Sequence, residues 1–158
     1  MQVLAPLLMS PFDTNTIYFG SQYLFRSRDR GDTWEKLTGD MSSNDKKQIG
    51  EIPYQDIISI SESPKKKGLI YTGTDDGRLY MSLDEGKEWN ELTASLSSKK
   101  EWIGTVLASR YDERTVYVSQ QGRYDEAVER LDLAYPKVDA DAKKELKAAR
   151  AELDAEKK

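Results

Sequence analysis

The 158-residue sequence contains no histidine and no cysteine. The first absence removes imidazole both as a general base and as a metal ligand. The second removes disulfides, thiolate nucleophiles and thiolate metal sites. It fixes no compartment, because exported domains exist without disulfides. Chemistry near neutral pH would fall to Asp, Glu, Lys or Tyr with displaced pKa values. No apolar run is long enough to span a bilayer. Met1 to Ser10 lacks the basic start and small-residue cleavage site of a signal peptide. Glycine is missing after Gly122, a sign that the C-terminal stretch differs from the rest.

What is present is polar. Charged residues make up 33% of the chain and hydrophobic ones 37%, with a formal net charge of −4. Nucleic acid is not the expected partner, because phosphate binding needs a surplus of Lys and Arg on one face. Lys65, Lys66 and Lys67 form a short basic run beside Pro64 and read as a solvated turn.

Two segments repeat. The first runs Ser10-Pro11-Phe12-Asp13, Ile17-Tyr18-Phe19-Gly20, then Leu24 through Leu37. The second runs Ser63-Pro64, Leu69-Ile70-Tyr71-Thr72-Gly73, then Leu79 through Leu92. Ser82 lies 55 positions after Ser27. A third copy opens at Ser109-Arg110-Tyr111-Asp112 with Thr115-Val116-Tyr117-Val118 as its strand. Its hairpin and box, which should follow Gln121, are absent. Short β-branched and aromatic runs bounded by turn residues predict strands at Ile17–Phe19, Ile70–Thr72 and Val116–Val118. Asp76-Gly77 predicts a tight hairpin, and Leu24–Arg26 and Leu79–Met81 its return strands. Ile57–Ile60 and Thr105–Ala108 read as inner strands leading into the second and third copies. Several short strands per unit at this period indicate blades of a β-propeller.

Within each copy a second pattern stands out: Ser27, Asp29, Gly31, Thr33 and Trp34, then Ser82, Asp84, Gly86 and Trp89, with Glu88 in place of the threonine. Each residue type suits a hairpin clasp. An aspartate bonds backbone N–H groups ahead of it, glycine supplies positive φ, and tryptophan covers the turn. The pattern resembles the Asp-box, or BNR repeat. Ala5 through Trp34, and Ile58 to Trp89, further resemble blades of the sortilin-like, glycosyl-hydrolase-like group of Asp-box propellers. The resemblance implies a mainly β fold, about two blades plus the start of a third, over residues 1–123. It also implies export in the parent family and protein, peptide or carbohydrate binding.

From Tyr124 the period becomes helical: Ala127, Leu131, Ala134 and Tyr135, then Ala142, Leu146, Ala149 and Leu153. Pro136 separates the runs, and Asp139 or Asp141 suits the cap of the second. Residues 124–158 are therefore expected to form a C-terminal α-helical hairpin. Gly122 through Ala127 resembles the opening of a tetratricopeptide helix, and the whole tail resembles the helical end of some long sortilin-like proteins.

The leading functional expectation is a non-enzymatic binding or scaffolding module, with Tyr23, Tyr54, Trp102 and Tyr111 as candidate contact aromatics. Trp34 and Trp89 are expected to be structural. The alternative is a fragment of a glycoside hydrolase of sialidase or xyloglucanase type, which needs paired carboxylates. Asp56, Glu62, Asp75, Asp76 and Asp112 are available, but none lies in a recognisable catalytic motif. Asp75-Asp76-Gly77 is better explained by hairpin chemistry. A helical adaptor built on the tail is a third reading, disfavoured because isolated helices of that length are marginal in water. No cofactor or metal is expected: Asp84 and Glu85 beside Gly86 lack the ligand spacing of a calcium loop. Two blades would leave open edges and an uncovered face, so a homo-oligomer is one expected solution.

Overall fold

A computed structural model describes residues 5–44, 55–96, 101–121 and 126–132. These residues form three antiparallel sheets. The first has the order β1 (Leu7–Met9), β2 (Ile17–Gly20), β3 (Leu24–Ser27), β4 (Glu35–Lys36). The second repeats it with β5 (Ile57–Glu62), β6 (Ile70–Thr74), β7 (Leu79–Ser82) and β8 (Asn90–Glu91). The third holds β9 (Trp102–Ala108), β10 (Thr115–Gln121) and β11 (Glu126–Asp132). A single turn of 3-10 helix, Thr93–Ser95, follows β8.

Each sheet is a meander, and its strands alternate between two faces, as pleating requires. In the first sheet, Tyr18 and Leu24 face the second sheet and are buried, while Phe19 and Phe25 face the other way and stay half-exposed. Tyr18, Leu24 and Met41 pack against Ile57, Ile60 and Ile70 of the second sheet. The second seam joins Leu69, Tyr71, Leu79, Met81 and Leu96 to Ile103, Val106, Ala108, Val116 and Val118 of the third. Complete burial of a Leu79 or an Ile70 contributes about 1.5–3 kcal/mol each. The stability of the array therefore resides between the sheets.

The Tyr-x-Gly element explains how close the sheets come. A Cβ on Gly20 would lie 3.0 Å from the Ile57 side chain, and one on Gly73 would lie 2.5 Å from Ile103 and 2.8 Å from Val106. Glycine is needed at Gly73 because the inner strand of the next sheet sits against the backbone there, and at Gly20 because Pro6, 2.8 Å away, crowds the position together with Ile57. Two hydroxyls of β5 add to the same seam: Ser59 accepts the Val106 N–H at 2.8 Å and Ser61 the Ala108 N–H at 3.0 Å.

The inner-strand and return-strand expectations match β5, β9, β3 and β7. The short outer strands β4 and β8 carry no propensity signal of their own. Two expectations need correction. Residues 126–132 form a strand, not the start of a helix, and the hairpin after Gln121 exists: β11 pairs with β10 from Thr115↔Asp132 to Gln121↔Glu126. Ala127 and Leu131 fit a helical period, but the open edge of β10 offers seven paired residues and Leu131 packs on the second seam. Tertiary pairing thus overrides a weak local preference. Tyr54, Ala134, Tyr135, Pro136, Asp139, Asp141, Ala142, Leu146, Ala149 and Leu153 lie outside the described residues.

Candidate functional site

The strands β3 and β7 each run from a loop end of their sheet to a turn that closes the opposite end. At that turn the paired motifs fold alike. Ser27 Oγ donates to Asp29 Oδ1 at 2.7 Å and accepts the Gly31 N–H at 2.7 Å. Asp29 also accepts the Thr33 N–H at 2.8 Å and the Thr33 hydroxyl at 2.5 Å. Trp34 Nε1 donates to the Gly31 carbonyl at 3.0 Å. In the second turn Ser82 Oγ donates to Asp84 Oδ1 at 2.9 Å and accepts the Gly86 N–H at 2.8 Å. Asp84 accepts the N–H groups of Lys87 at 3.1 Å and Glu88 at 2.9 Å, and Trp89 Nε1 donates to the Gly86 carbonyl at 3.1 Å.

The backbone follows a left-handed pair at each turn: Arg30 and Glu85 both have φ of 63°, followed by Gly31 at 105° and Gly86 at 87°. Hydrogen bonds, first from the Thr33 side chain and then from its N–H, hold the Asp29 carboxyl down to about 2. The Asp84 carboxyl is also lowered, chiefly by the Glu88 N–H. Both carboxylates are engaged by their own turns.

Sequence reasoning missed the ties between these turns and the neighbouring sheet. Arg26, almost buried, reaches Glu35 Oε1 at 2.6 Å within its own sheet and the Glu85 carbonyl of the second sheet at 3.0 Å. Glu85 also draws Arg28 at 3.5 Å and Lys67 at 3.7 Å. The available signal was an arginine at an inward strand position, with a glutamate nine residues on that is its cross-strand partner.

The loop end carries the remaining candidates. Asp56 and Asp75 clasp each other's loops: the Asp56 N–H donates to Asp75 Oδ1 at 2.8 Å, and the Asp75 N–H to the Asp56 carbonyl at 3.1 Å. Asp76 accepts the Ser43 N–H at 2.5 Å and the Thr74 hydroxyl. Gly77, with φ of 83°, closes the turn. Burial pushes the Asp75 carboxyl up to about 6, helped by the nearby Asp76 and Asp56. Burial also raises Asp56, with Asp40 adding to it. Four aspartates, Asp40, Asp56, Asp75 and Asp76, thus gather where the first two sheets meet.

The other proposed carboxylates lie elsewhere. Glu62 ends β5 at the clasp end and accepts the Gly68 N–H at 3.0 Å. Asp112 accepts the Arg114 N–H at 3.0 Å in the turn before β10, as Asp13 accepts that of Asn15 at 3.0 Å before β2. Of the candidate aromatics, Tyr23 and Trp102 are half-buried, whereas Tyr111 is 92% exposed. Lys36 Nζ lies 4.5 Å from the Tyr23 ring centroid.

No protein-family profile and no curated protein sequence matches the chain. Solved structures do. A GH74 xyloglucanase from Xanthomonas campestris superimposes with a TM-score of 0.58 at 19% identity, over 80% of this chain and 20% of that one. YCF48, solved bound to a D1 peptide, does so with a TM-score of 0.54 at 15% identity, over 84% of this chain and 42% of that one. The chain therefore spans one fifth to about two fifths of these proteins. At such identity the likeness shows the fold alone: this is a β-propeller-like array of antiparallel sheets.

Proposed function

We propose that the chain is a non-catalytic binding or scaffolding piece of an Asp-box propeller of the sortilin-like group, built from blades over residues 1–132. The two turns at Ser27–Trp34 and Ser82–Trp89 act in this reading as clasps. Ligand contact falls to the opposite end, where Asp40, Asp56, Asp75 and Asp76 gather. The observation that carries the reading is the engagement of the carboxylates. Oxygens of Asp29, Asp84, Glu62, Asp75, Asp76 and Asp112 are all bound by nearby backbone N–H groups. Such groups hold loops in place.

A negative field at a loop end suits a cationic or amide-rich segment of a protein or peptide. The peptide-bound state of YCF48 supports looking for one. The test is calorimetry of the whole chain against a panel of Lys- and Arg-rich peptides. Binding that weakens in Asp56→Asn is expected, whereas binding indifferent to this change counts against the proposed end.

A glycoside hydrolase fragment is the second reading. The feature that favours it is Asp75, a buried carboxyl raised to about 6 beside Asp56, as in carboxylate pairs with divided acid and base roles. Turnover on xyloglucan oligosaccharides, lost in Asp75→Asn, would establish it in place of the first.

Helical spacing at 142–153 supports a separate unit in the tail beyond β11, which moves the proposed boundary from residue 123 to the end of that strand.

A further inference from the structure

Each sheet has a leading face, turned toward the sheet before it, and a trailing face, turned toward the sheet after it. The register makes the equivalences explicit. Tyr18 pairs with Arg26, Tyr71 with Met81 and Tyr117 with Arg130, so one tyrosine recurs on the trailing face of all three sheets. Tyr18 and Tyr71 are buried under the next sheet, at 2% and 1% exposure. Tyr117 is only half-buried, and Leu107 beside it is 53% exposed. On the leading side, Trp89 and Tyr80 pack on the first seam, while their counterparts are more open: Trp34 is 44% exposed and Phe25 half-buried. With them stand Leu7 at 68% and Met9 at 57% exposure.

We infer that these two open faces are halves of one seam, and that two copies of the chain join head to tail through them. The leading face of one copy's first sheet covers the trailing face of the other's third sheet, twice. The inference rests on the propeller reading and names the partner that completes it. The three sheets among the described residues give six in the pair, within the usual range of about four to eight blades. A heterologous contact of this kind closes when its rotation fits the ring.

Side-chain size supports the match. Within the chain, Ile57 and Ile103 press on Gly20 and Gly73. In the third sheet Ser119 replaces that glycine, pairing with Thr105 as Gly73 pairs with Ser59. Counting back from the Gly20 N–H bond to the Pro6 carbonyl, Ala5 comes at the place of the two isoleucines. A smaller side chain thus meets the larger one. Charge works against tight association. Arg130 holds the register position of Arg26, and Arg30 holds that of Glu85, so the Arg26–Glu85 contact becomes arginine facing arginine. The pair is therefore weak and adjustable.

Light scattering behind a sizing column, over a concentration series, tests this. The wild-type chain should approach twice its 18.0 kDa at high concentration and dissociate on dilution. Leu7→Asp and Leu107→Asp should each run as single chains. An equimolar mixture of the two should regain the dimer, because one seam is then intact. Both positions are exposed in a single chain, so at dilutions where the wild type has dissociated each variant should unfold in urea at the wild-type midpoint. Arg30→Glu should tighten the pair about fivefold, since Glu85 shows that glutamate accepts that backbone. Three results would overturn the inference. One is a single chain at every concentration in both wild type and Arg30→Glu, including one that dimerises only after residues 133–158 are removed. Another is a dimer that survives in either Asp variant alone, which indicates face-to-face pairing. The last is a mixture that does not recover. Wild-type resistance of the fold to urea, and its loss in Tyr71→Ala, reports separately on the blades, so a failed assembly and a failed propeller reading are distinguishable.

Discussion

The first and second sheets are built from the same phrase, and they differ in what covers them. Both close with a serine-aspartate-glycine turn and a tryptophan bonded to the glycine carbonyl. Trp89 lies against the first seam because a sheet stands before it, whereas Trp34, at 44% exposure, has only Phe19 at 6.1 Å for company. Tyr71 is sealed by the third sheet, whereas Phe25 stays half-exposed beside Phe19 and Tyr23 of its own sheet. The turn is thus a local device that forms whether or not a neighbour is present, and the face beside it is a tertiary device whose value depends on the neighbour. Substitutions on the covered seam, on the open face and in the turns should separate the two.

The largest effect is expected in the covered seam. Tyr71→Ala should cost about 3–5 kcal/mol, measured by urea denaturation, while Phe25→Ala on the open face should cost far less. Equal losses would mean that the first sheet's outer face is covered in solution. Gly73→Ala should cost about 1–3 kcal/mol, because its Cβ would enter the space of Ile103 and Val106, and the added methyl has no route to relax within the strand. Ser82→Ala removes a buried hydroxyl that serves both the aspartate and the glycine of its turn and should cost about 1–3 kcal/mol. Ser27→Ala should match it, since the two turns share this bond pattern.

Smaller differences distinguish the turns themselves. Asp29 holds the Thr33 hydroxyl as well as its N–H, whereas Asp84 faces Glu88 and receives only N–H groups. Asp29→Ala should therefore lower the melting temperature more than Asp84→Ala, and Glu88→Thr should raise it slightly. A parent-like melting temperature in Asp29→Ala would count against the clasp.

Protonation gives the two ends of the sheets opposite signs. The Asp29 carboxyl, held at about 2, contributes its full stability above the ordinary aspartate range and loses it as pH falls from about 4 toward 2. The Asp75 carboxyl, raised to about 6, favours the fold in its neutral form. Its contribution is present below about pH 4 and is lost as pH rises through 6. Stability measured against pH should thus decline on both sides of about pH 4–5 for these two groups. The upper limb should flatten in Asp75→Asn and the lower limb in Asp29→Ala.

Much of this was legible in the residues. The 55-residue offset between Ser27 and Ser82, the Tyr-x-Gly element and the short β-branched and aromatic runs of β2, β6 and β10 all speak through short-range geometry, since strand preference and a left-handed glycine turn are decided within a few residues. The outer strands β4 and β8 were not legible, because two polar residues each carry no preference and pair only where β3 and β7 present an edge. Arg26 and Glu85 escaped for a related reason: they lie 59 positions apart and meet only across a seam. Residues 126–132 misled outright, since a helical spacing of Ala127 and Leu131 competed with an edge that no local pattern reveals.

What the sequence by itself determined is therefore the unit: its strands, its turn chemistry and its repetition. The tertiary structure alone decided how close neighbouring sheets stand, which tryptophan is covered, where four aspartates gather and that residues 126–132 form a strand. The physical reason is range. Backbone sterics and turn hydrogen bonds act within a handful of residues, whereas burial and desolvation depend on whichever surface arrives from far along the chain.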